Sequence, residues 1–340
     1  MQRMKKNNRI DVIVPCYNAH ATLRRALLSV AVQSIAGEID VTIVDDCSPS
    51  GGYEPVLAPF RPWLSVRELT LEENVGPGLA RQRALDATHN PFIVFLDSDD
   101  TLAGPRSLEE MRAALEADAN LTMVSGDFFS AGETADGSVA FQPYRGDMTW
   151  LLGNVYRRSF LDENGIRFIG PRTSEDFGFN TKVRLIGGMN RVLLYKHPAY
   201  CWYQLPQSFT RADPLRFAYD RNAGDFCEML LDALSLARRR GAPQKEIAAS
   251  AVYGMMDYYR RVSEAEKLYP SAAEKNREQA RRFYREMYRE IAPEIPQRTY
   301  ESQLSLLAER MSKTFPVESL SHLARDFAAF LETLAGEVRA

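Results

Sequence analysis

Four apolar runs rich in β-branched residues alternate with helical patterns over the first hundred residues, and this alternation constrains the fold more than any other feature. The runs lie at residues 10–14, 39–44, 66–71 and 92–96, and the third, which contains Arg67 and Glu68, is less regular than the others. Small and apolar residues recur at helical spacing between them, at residues 19–34 and 79–88. Strands joined by helices make right-handed crossovers and form a mainly parallel sheet with helices on both faces. The sequence therefore predicts an α/β fold.

A cluster of carboxylates, Asp97, Asp99 and Asp100, directly follows the fourth run. Parallel sheets bind ligands at the carboxyl ends of their strands, and clustered carboxylates suit a Mg²⁺ or Mn²⁺ ion that also binds phosphate oxygens. The alternative is an acidic turn in which Asp99 or Asp100 caps the next helix. The cluster by itself favours neither interpretation, so the ends of the other runs have to decide.

Polar segments also follow the other three runs. They are Pro15-Cys16-Tyr17-Asn18 after the first run, Asp45-Asp46-Cys47-Ser48 after the second, and Asn74-Val75-Gly76 with Arg81 after the third. None of them has the glycine-rich turn of dinucleotide-binding domains or the Walker loop. Together with residues 97–100, their order and spacing resemble the family 2 glycosyltransferases, and the resemblance extends from about residue 10 to about residue 211.

The resemblance implies the GT-A fold, a Rossmann-like fold of nucleotide-diphospho-sugar transferases, and it assigns the first two segments to the nucleotide. Pro15, Tyr17 and Asn18 would form the loop around the base. Asp46 would accept a hydrogen bond from a uracil ring, which makes a UDP-sugar the expected donor. The alternative for Tyr17 is a packing residue at the end of a strand, and Asp45 is the weaker candidate of its pair.

The resemblance assigns the third and fourth segments to the ribose and to a metal ion. Asn74, Gly76 and Arg81 would close over the base and the ribose, although Arg81 could equally be a surface residue of its helix. Asp97 would face the ribose or a metal-bound water, and Asp99 would bind the Mn²⁺ or Mg²⁺ ion. Both aspartates are therefore predicted metal residues.

Two further residues are predicted to contact the donor. Ser98 lies between the two metal residues, and Arg211 lies near the end of the resemblance. Arg211 is assigned to the diphosphate because a guanidinium group binds phosphate with two parallel hydrogen bonds. At Tyr203, where many relatives have an arginine or a histidine, this sequence has neither, so the remaining metal ligands stay open.

The segment Ser174-Glu175-Asp176 precedes a helical pattern and resembles the Glu-Asp motif of the inverting enzymes of the family, in which the aspartate is the general base. Asp176 would take the proton from the acceptor hydroxyl, a step to which a positioned carboxylate typically contributes about 10²- to 10⁴-fold in rate. The alternative is an ordinary helix N-terminus, where a serine caps the helix and acidic residues oppose its dipole.

The pattern becomes helical throughout from about residue 213. Apolar residues recur at helical spacing over residues 217–240, 246–264, 272–291, 300–313 and 317–338. We predict a GT-A catalytic domain at residues 1–212 and a helical region at residues 213–340 that contacts the acceptor, another copy of the chain in a homo-oligomer, or the membrane surface. Arginines and aromatic residues alternate over residues 277–289, but the glutamates among them favour a solvated or subunit-facing helix over a lipid-binding one.

Charge and composition narrow the functional class further. A formal net charge of −3 argues against general electrostatic binding of nucleic acid. The four cysteines lie far apart without metal-binding spacing, which is typical of reduced thiols in a cytoplasmic protein. No apolar window reaches about 18 residues, the length of a membrane span. We therefore expect a cytoplasmic protein, with peripheral contact at the inner face of the membrane as an open alternative.

The motifs together predict an inverting, metal-dependent transferase that moves a hexose-type unit from a UDP-sugar to a hydroxyl of a glycan or a lipid-linked acceptor, in the synthesis of surface polysaccharide. One alternative is a catalytically inert assembly module, for which the loss of Asp99 or Asp176 would be the sign. The other is a sugar nucleotidyltransferase, but the glycine-rich, arginine-containing loop of that class is replaced here by residues 15–18.

Overall fold

The computed structural model describes residues 8–134, 137–205, 223–268, 276–312 and 316–339. The chain divides into two compact units. Unit 1 comprises Met1–Gly170 and Glu175–Leu205, and unit 2 comprises Pro171–Ser174 and Pro206–Ala340. The predicted donor, metal and base residues belong to unit 1, with the exception of Arg211, which lies outside the described residues.

The first four strands of unit 1 confirm the four predicted runs. They are β1 (Ile10–Cys16), β2 (Ile39–Asp45), β3 (Ser65–Thr70) and β4 (Phe92–Phe95). All are parallel, in the spatial order β3-β2-β1-β4. The side chains of β1, β2 and β4 are almost all buried, as expected for a parallel sheet covered on both faces, whereas β3 at the edge is largely exposed.

Strand β1 continues past the end of its apolar run. Pro15 pairs with Val44 of β2, and the strand ends at Cys16. Proline lacks an N–H, so it is tolerated in a strand only where no neighbour needs that donor. Because β1 pairs with β4 only as far as Ile13, Pro15 has a single neighbouring strand.

The remaining strands make the sheet mixed. They are β5 (Thr101–Leu102), β6 (Met123–Glu133), β7 (Val139–Tyr144), β8 (Asn154–Arg157) and β9 (Val192–Gln204). The full order is β3-β2-β1-β4-β8-β6-β9-β5, with β7 paired to β6. β8 is antiparallel to both β4 and β6, while β6 and β9 are parallel. The predicted α/β sheet is therefore parallel in its first half and mixed in its second half.

Strand β9 is longer than its apolar start indicates, because it passes through a proline. Pro198 pairs with Asp127 of β6 at the position where the register of the two strands shifts. A register shift of this kind is one of the few places where a strand accepts proline. Beyond it, β9 reaches the carboxyl end of the sheet and brings Tyr200 and Tyr203 close to β4.

The helices of unit 1 follow the strands at the predicted places. The first is shorter than its pattern, because the N–H groups of Thr22 and Leu23 both donate to the Ala19 carbonyl in a turn that precedes it. The helices are α1 (Leu23–Ala31), α2 (Glu54–Leu57), α3 (Pro77–Ala87), α4 (Ser107–Ala117), α5 (Arg158–Asn164) and α6 (Glu175–Gly187). Helix α3 begins with a proline at its first position, which suits the fixed φ of that residue.

The described part of unit 2 is helical, which confirms the helical pattern of the C-terminal region. Its elements are α7 (Ala223–Arg239), α8 (Gln244–Leu268), α9 (Arg277–Phe283), a π-helical turn (Tyr284–Tyr288), α10 (Arg289–Ile291), α11 (Gln297–Met311) and α12 (Leu320–Arg339). Arg277 and Arg281 both pair with Glu337 of α12 at 3.0 Å. None of the described helices is long and apolar enough to cross a bilayer. Membrane contact and homo-oligomerisation through this unit stay predictions.

Candidate active site

A hydrogen-bond network holds together the loops that follow β1 and β2. The Asn18 N–H donates to Ser48 Oγ at 3.0 Å, and the Ala19 N–H donates to the Tyr53 hydroxyl at 2.9 Å. The hydroxyls of Ser48 and Tyr53 lie 2.9 Å apart. Tyr17 extends from the first loop and is 52% exposed, so the alternative of a buried packing residue is wrong. Its ring is accessible to a ligand.

Backbone strain is concentrated in the same two loops. Asn18 has a φ of 52° and Cys47 a φ of 60°, which is the left-handed region that residues with a side chain rarely adopt. Strained backbone of this kind persists where the surrounding structure fixes it, and it clusters at ligand-binding sites. The two loops are therefore held in one conformation at the carboxyl end of the sheet.

The carboxylate of Asp46 is buried and holds the loop that precedes α3. Its Oδ1 accepts from the Val75 N–H at 2.7 Å and its Oδ2 from the Gly76 N–H at 2.8 Å. Asn74 returns the contact, since its Nδ2 donates to the Asp46 carbonyl at 3.0 Å. Gly76 has a φ of 88°, a conformation that favours glycine. The structure thus brings together three predicted nucleotide residues, although each oxygen of Asp46 already accepts one bond within the chain.

Arg81 is the centre of an ion-pair network between α3, β4 and α6. Its guanidinium donates to Asp97 Oδ1 at 2.5 Å and to Glu175 Oε1 at 2.8 Å. Arg81 is only 5% exposed, so the alternative of a surface helix residue is wrong. Burial disfavours its charge, but the two carboxylates outweigh that effect and raise the pKa of Arg81 above its ordinary value.

Close approach of α3 and α6 makes this network possible. A Cβ atom added to Gly78 would lie 3.0 Å from Glu175 Cβ, which is closer than real Cβ contacts normally are. The absence of a side chain at Gly78 therefore lets the start of α3 contact the start of α6. Arg81, one turn further along α3, reaches Glu175 as a result.

The predicted base, Asp176, occupies the second position of α6. Its Oδ1 accepts from the Phe177 N–H at 2.7 Å. Burial, followed by repulsion from the neighbouring Glu175 carboxylate, raises the pKa of Asp176 well above its ordinary value. A carboxylate with a raised pKa is a stronger base, and general bases work best when their pKa lies near the working pH.

The three carboxylates after β4 are not equivalent. Asp100 is 1% exposed, and its two oxygens accept from the Tyr200 hydroxyl and the Tyr203 N–H, both at 2.8 Å. Asp97 and Asp99 are only partly buried. Burial, and then repulsion from these two neighbours, raises the pKa of Asp100 well above its ordinary value. Asp100 therefore bonds the start of β5 to β9, and the alternative that it caps the next helix is wrong.

The acidic cluster suits a divalent cation that completes its ligand set with a bound molecule. Among the described residues, no three histidine, cysteine or acidic side chains come together as a complete metal site. Both oxygens of Asp100 accept bonds from β9, so Asp97 and Asp99 are the residues that would bind the ion. Mg²⁺ commonly takes one or two carboxylates plus phosphate oxygens. This donor set fits Mg²⁺ or Mn²⁺.

The other predicted donor residues are placed less centrally. Pro15 is partly buried within β1. Ser98 is partly buried. Arg211 lies outside the described residues.

Arg25, on the first turn of α1, joins the site without a signal in the sequence. Its Nη2 donates to the backbone carbonyl of Asp99. The guanidinium carbon lies 3.6 Å from the centroid of the Tyr203 ring. The sequence pattern of α1 marks only its apolar face, and nothing in it distinguishes Arg25 from its exposed neighbour Arg24. The order strand, loop, helix indicates only that the first turn of α1 lies near the carboxyl end of β1.

A buried polar network fixes the segment before β8 to helix α6. Asn180, one turn after Asp176, accepts from the Tyr156 hydroxyl at 2.7 Å and donates to the Trp150 carbonyl at 2.5 Å. Asn154 donates to the same carbonyl at 2.9 Å. Trp150 is 40% exposed. The network therefore presents an exposed aromatic ring on the segment tied to the helix of the predicted base.

The chain matches a family model and several known proteins. Residues 11–173 match the model of the family described as glycosyl transferase family 2. The chain is similar to the succinoglycan biosynthesis protein ExoO of Rhizobium meliloti, with 31% identity over 180 residues, which cover 52% of this chain and 50% of ExoO. It is also similar to the poly(ribitol-phosphate) beta-N-acetylglucosaminyltransferase TarS of Staphylococcus aureus, with 30% identity over 206 residues, which cover 56% of this chain and 35% of TarS. The matches thus span half or less of these relatives.

The fold has solved counterparts. The crystal structure of S. aureus TarS 1-349 in complex with UDP-GlcNAc superposes with a TM-score of 0.65 at 19% identity, covering 97% of this chain and 91% of that one. With the mixed sheet, this likeness shows a GT-A-like α/β fold with a helical C-terminal region. The family match and these relatives together support a family 2 glycosyltransferase.

Proposed function

We propose that the protein is an inverting, metal-dependent glycosyltransferase that moves a hexose-type unit from a UDP-sugar to a hydroxyl of a glycan or a lipid-linked acceptor. The observation that carries this proposal is the Arg81 network, which joins the acidic cluster after β4 to the start of α6. A donor-binding carboxylate, Asp97, and the helix that bears the base Asp176 are thereby held at one edge of the sheet. The proposal includes a catalytic domain at residues 1–212 and a helical region at residues 213–340 for acceptor or subunit contacts.

The choice of donor and of biological setting is supported by the relatives. The TarS crystal structure contains UDP-GlcNAc, and TarS is named as an N-acetylglucosaminyltransferase that acts on poly(ribitol-phosphate). ExoO is named for the biosynthesis of succinoglycan, a polysaccharide. An exposed Tyr17 beside the buried Asp46 gives this chain an aromatic ring and a carboxylate for a uracil base. We therefore propose a UDP-sugar donor and a role in polysaccharide synthesis.

The chemistry follows from the positions of the carboxylates. Asp176 takes the proton of the acceptor hydroxyl while that oxygen forms a bond to the anomeric carbon. The bond from the anomeric carbon to the diphosphate breaks on the opposite side, which inverts the configuration, and the electron pair leaves with the nucleoside diphosphate. Arg81 keeps Asp97 and Glu175 in place during this exchange. Asp97 and Asp99 would hold a divalent cation, which neutralises the charge that develops on the diphosphate.

Calorimetric titration tests the proposal. Nucleoside diphosphates and nucleotide sugars are titrated into the wild-type protein with and without Mn²⁺, and into Asp99→Asn, Asp176→Asn and the control Asp86→Asn, which changes an exposed carboxylate of α3. We expect one UDP-sugar to bind, more tightly with Mn²⁺. Asp99→Asn should lose the effect of Mn²⁺, whereas Asp176→Asn should keep donor binding and lose transfer. Absence of binding to any nucleotide would contradict the proposal and favour an inert assembly module.

A further inference from the structure

Arg25 carries a positive charge to the edge of the acidic cluster. It lies on the first turn of α1, at the carboxyl end of β1, and it is partly buried. One hydrogen bond, from Nη2 to the Asp99 carbonyl, fixes one end of the guanidinium. The ring of Tyr203 supports its face at 3.6 Å, a distance at which an arginine and an aromatic ring attract each other.

Arg25 forms no ion pair within the part of the chain that the structure describes. Arg81 pairs with two carboxylates, and Arg157 donates to three backbone carbonyls. Arg25, by contrast, has a single hydrogen bond in the described ranges, to a neutral carbonyl, and its Nε is buried without an acceptor. Because its one acceptor is a neutral carbonyl, the guanidinium group keeps a positive charge and terminal N–H donors that an anion can use.

We propose that Arg25 binds the diphosphate of the donor, an inference that rests on the proposed function. A guanidinium group offers five N–H donors in a plane and matches phosphate oxygens with paired hydrogen bonds. The bond to Asp99 and the stacking on Tyr203 hold the plane in place before the ligand arrives. The remaining N–H donors of Nη1 and Nη2 are the ones assigned to phosphate oxygens, because Nε is buried within the protein. Arg25 thus approaches the diphosphate from α1, while Asp97 and Asp99 approach it from β4 through the cation.

The test uses the full chain and calorimetric titration with uridine, UDP and Mn²⁺ alone. The variants are Arg25→Gln, which removes the charge and keeps a hydrogen-bond donor, Arg25→Lys, which keeps the charge, and Arg24→Gln, a matched control at the exposed neighbouring position. We expect Arg25→Gln to weaken UDP binding about tenfold to a hundredfold, the loss of one charged hydrogen-bonded pair. Uridine and Mn²⁺ should bind it as they bind the wild type. Arg25→Lys should lose less, and Arg24→Gln nothing.

Three results would overturn the inference, and they are distinguishable. Unchanged UDP binding by both Arg25 variants refutes the diphosphate contact and leaves the proposed function intact. If Arg25→Gln weakens the binding of uridine and UDP equally, Arg25 positions the loops around the base instead. If it weakens only the binding of Mn²⁺, Arg25 positions Asp99. A wild-type protein that binds neither uridine nor UDP refutes the proposed function, and the inference falls with it.

Discussion

Replacing Arg81 with methionine removes the shared partner of two acidic side chains while keeping an unbranched side chain of similar length. Arg81 is 5% exposed, and its two bonds are 2.5 and 2.8 Å long. The side chain of Glu175 is 12% exposed and that of Asp97 is 35% exposed. The variant therefore leaves one buried carboxylate and one partly solvated carboxylate without a cation.

The expected loss follows from these exposures. Removing one partner of a buried pair typically costs about 3–5 kcal/mol, because the other charge stays buried and uncompensated. Water screens the Asp97 part of the network, and exposed pairs contribute only about 0–1 kcal/mol. We therefore expect Arg81→Met to lower the free energy of unfolding by about 3 kcal/mol at pH 7.5, with Glu175 responsible for most of the loss.

The loss should depend on pH with a definite sign. Burial raises the pKa of Glu175, and Arg81 opposes that rise, so the variant has a higher pKa at Glu175 than the wild type. A carboxyl group whose pKa is higher in the folded state destabilises the fold at a pH above its unfolded pKa, and this penalty shrinks as the pH falls. The difference between variant and wild type should therefore be smaller at pH 5 than at pH 7.5.

Urea denaturation followed by tryptophan fluorescence measures this loss. Trp63, Trp150 and Trp202 are the three tryptophans of the chain, and all belong to unit 1. Arg83→Met is the matched control, because Arg83 is an exposed arginine of the same helix, and surface substitutions usually change stability by less than about 0.5 kcal/mol. A loss below about 1 kcal/mol, or one that is the same at both pH values, would refute the assignment of an uncompensated buried charge.

Three further predictions concern the base, the helix contact and unit 2. Because the pKa of Asp176 is raised, kcat/KM for sugar transfer should increase as the pH rises through that pKa. Glu175→Gln removes the repulsion between the two carboxylates and should move the midpoint of the pH–rate profile to lower pH; an unchanged midpoint would contradict this repulsion. Gly78→Ala should lower the free energy of unfolding measured in urea by about 1–3 kcal/mol, because the added methyl group overpacks the contact with Glu175. Gly336→Ala, at a position with open space around it, should slightly raise the thermal midpoint of the helical signal. Burial opposes the charge of Asp257, but its arginine partners lower its pKa to about 2. Asp257→Asn should therefore lower the thermal midpoint of the helical signal at pH 7, and the difference from the wild type should disappear as the pH falls through about 2. Equal midpoints at pH 7 would contradict a stabilising role of the Asp257 charge.

The features that the sequence predicted are those that short stretches of chain determine. Strands β1, β2 and β4 are continuous apolar runs, and a run of that kind predicts a buried parallel strand on its own. Once these strands are parallel, the polar residues after them must meet at one edge. The loop residues Asp46, Asn74 and Gly76 were therefore predicted together, and the structure places them within hydrogen-bond distance.

The features that the sequence did not predict depend on contacts between distant parts of the chain. The bond from Arg81 to Glu175 spans 94 positions, and its formation requires the absence of a side chain at Gly78, which no local pattern marks. The position of Arg25 over Tyr203 depends in the same way on where β9 ends. Sequence patterns indicate which face of a helix is apolar, but they do not indicate which polar side chain of that helix will reach a distant loop.

The burial of Asp100 has a consequence for the order of folding. Its contacts to Tyr200 and Tyr203 join residues that are 100 and 103 positions apart, and closing so long a loop costs conformational entropy before the contact can form. The acidic loop after β4 can therefore reach its final shape only after β9 has joined the sheet. A chain that ends before β9 would contain all three aspartates of the cluster. It would lack Tyr200 and Tyr203, whose hydrogen bonds hold the Asp100 carboxylate in its buried position.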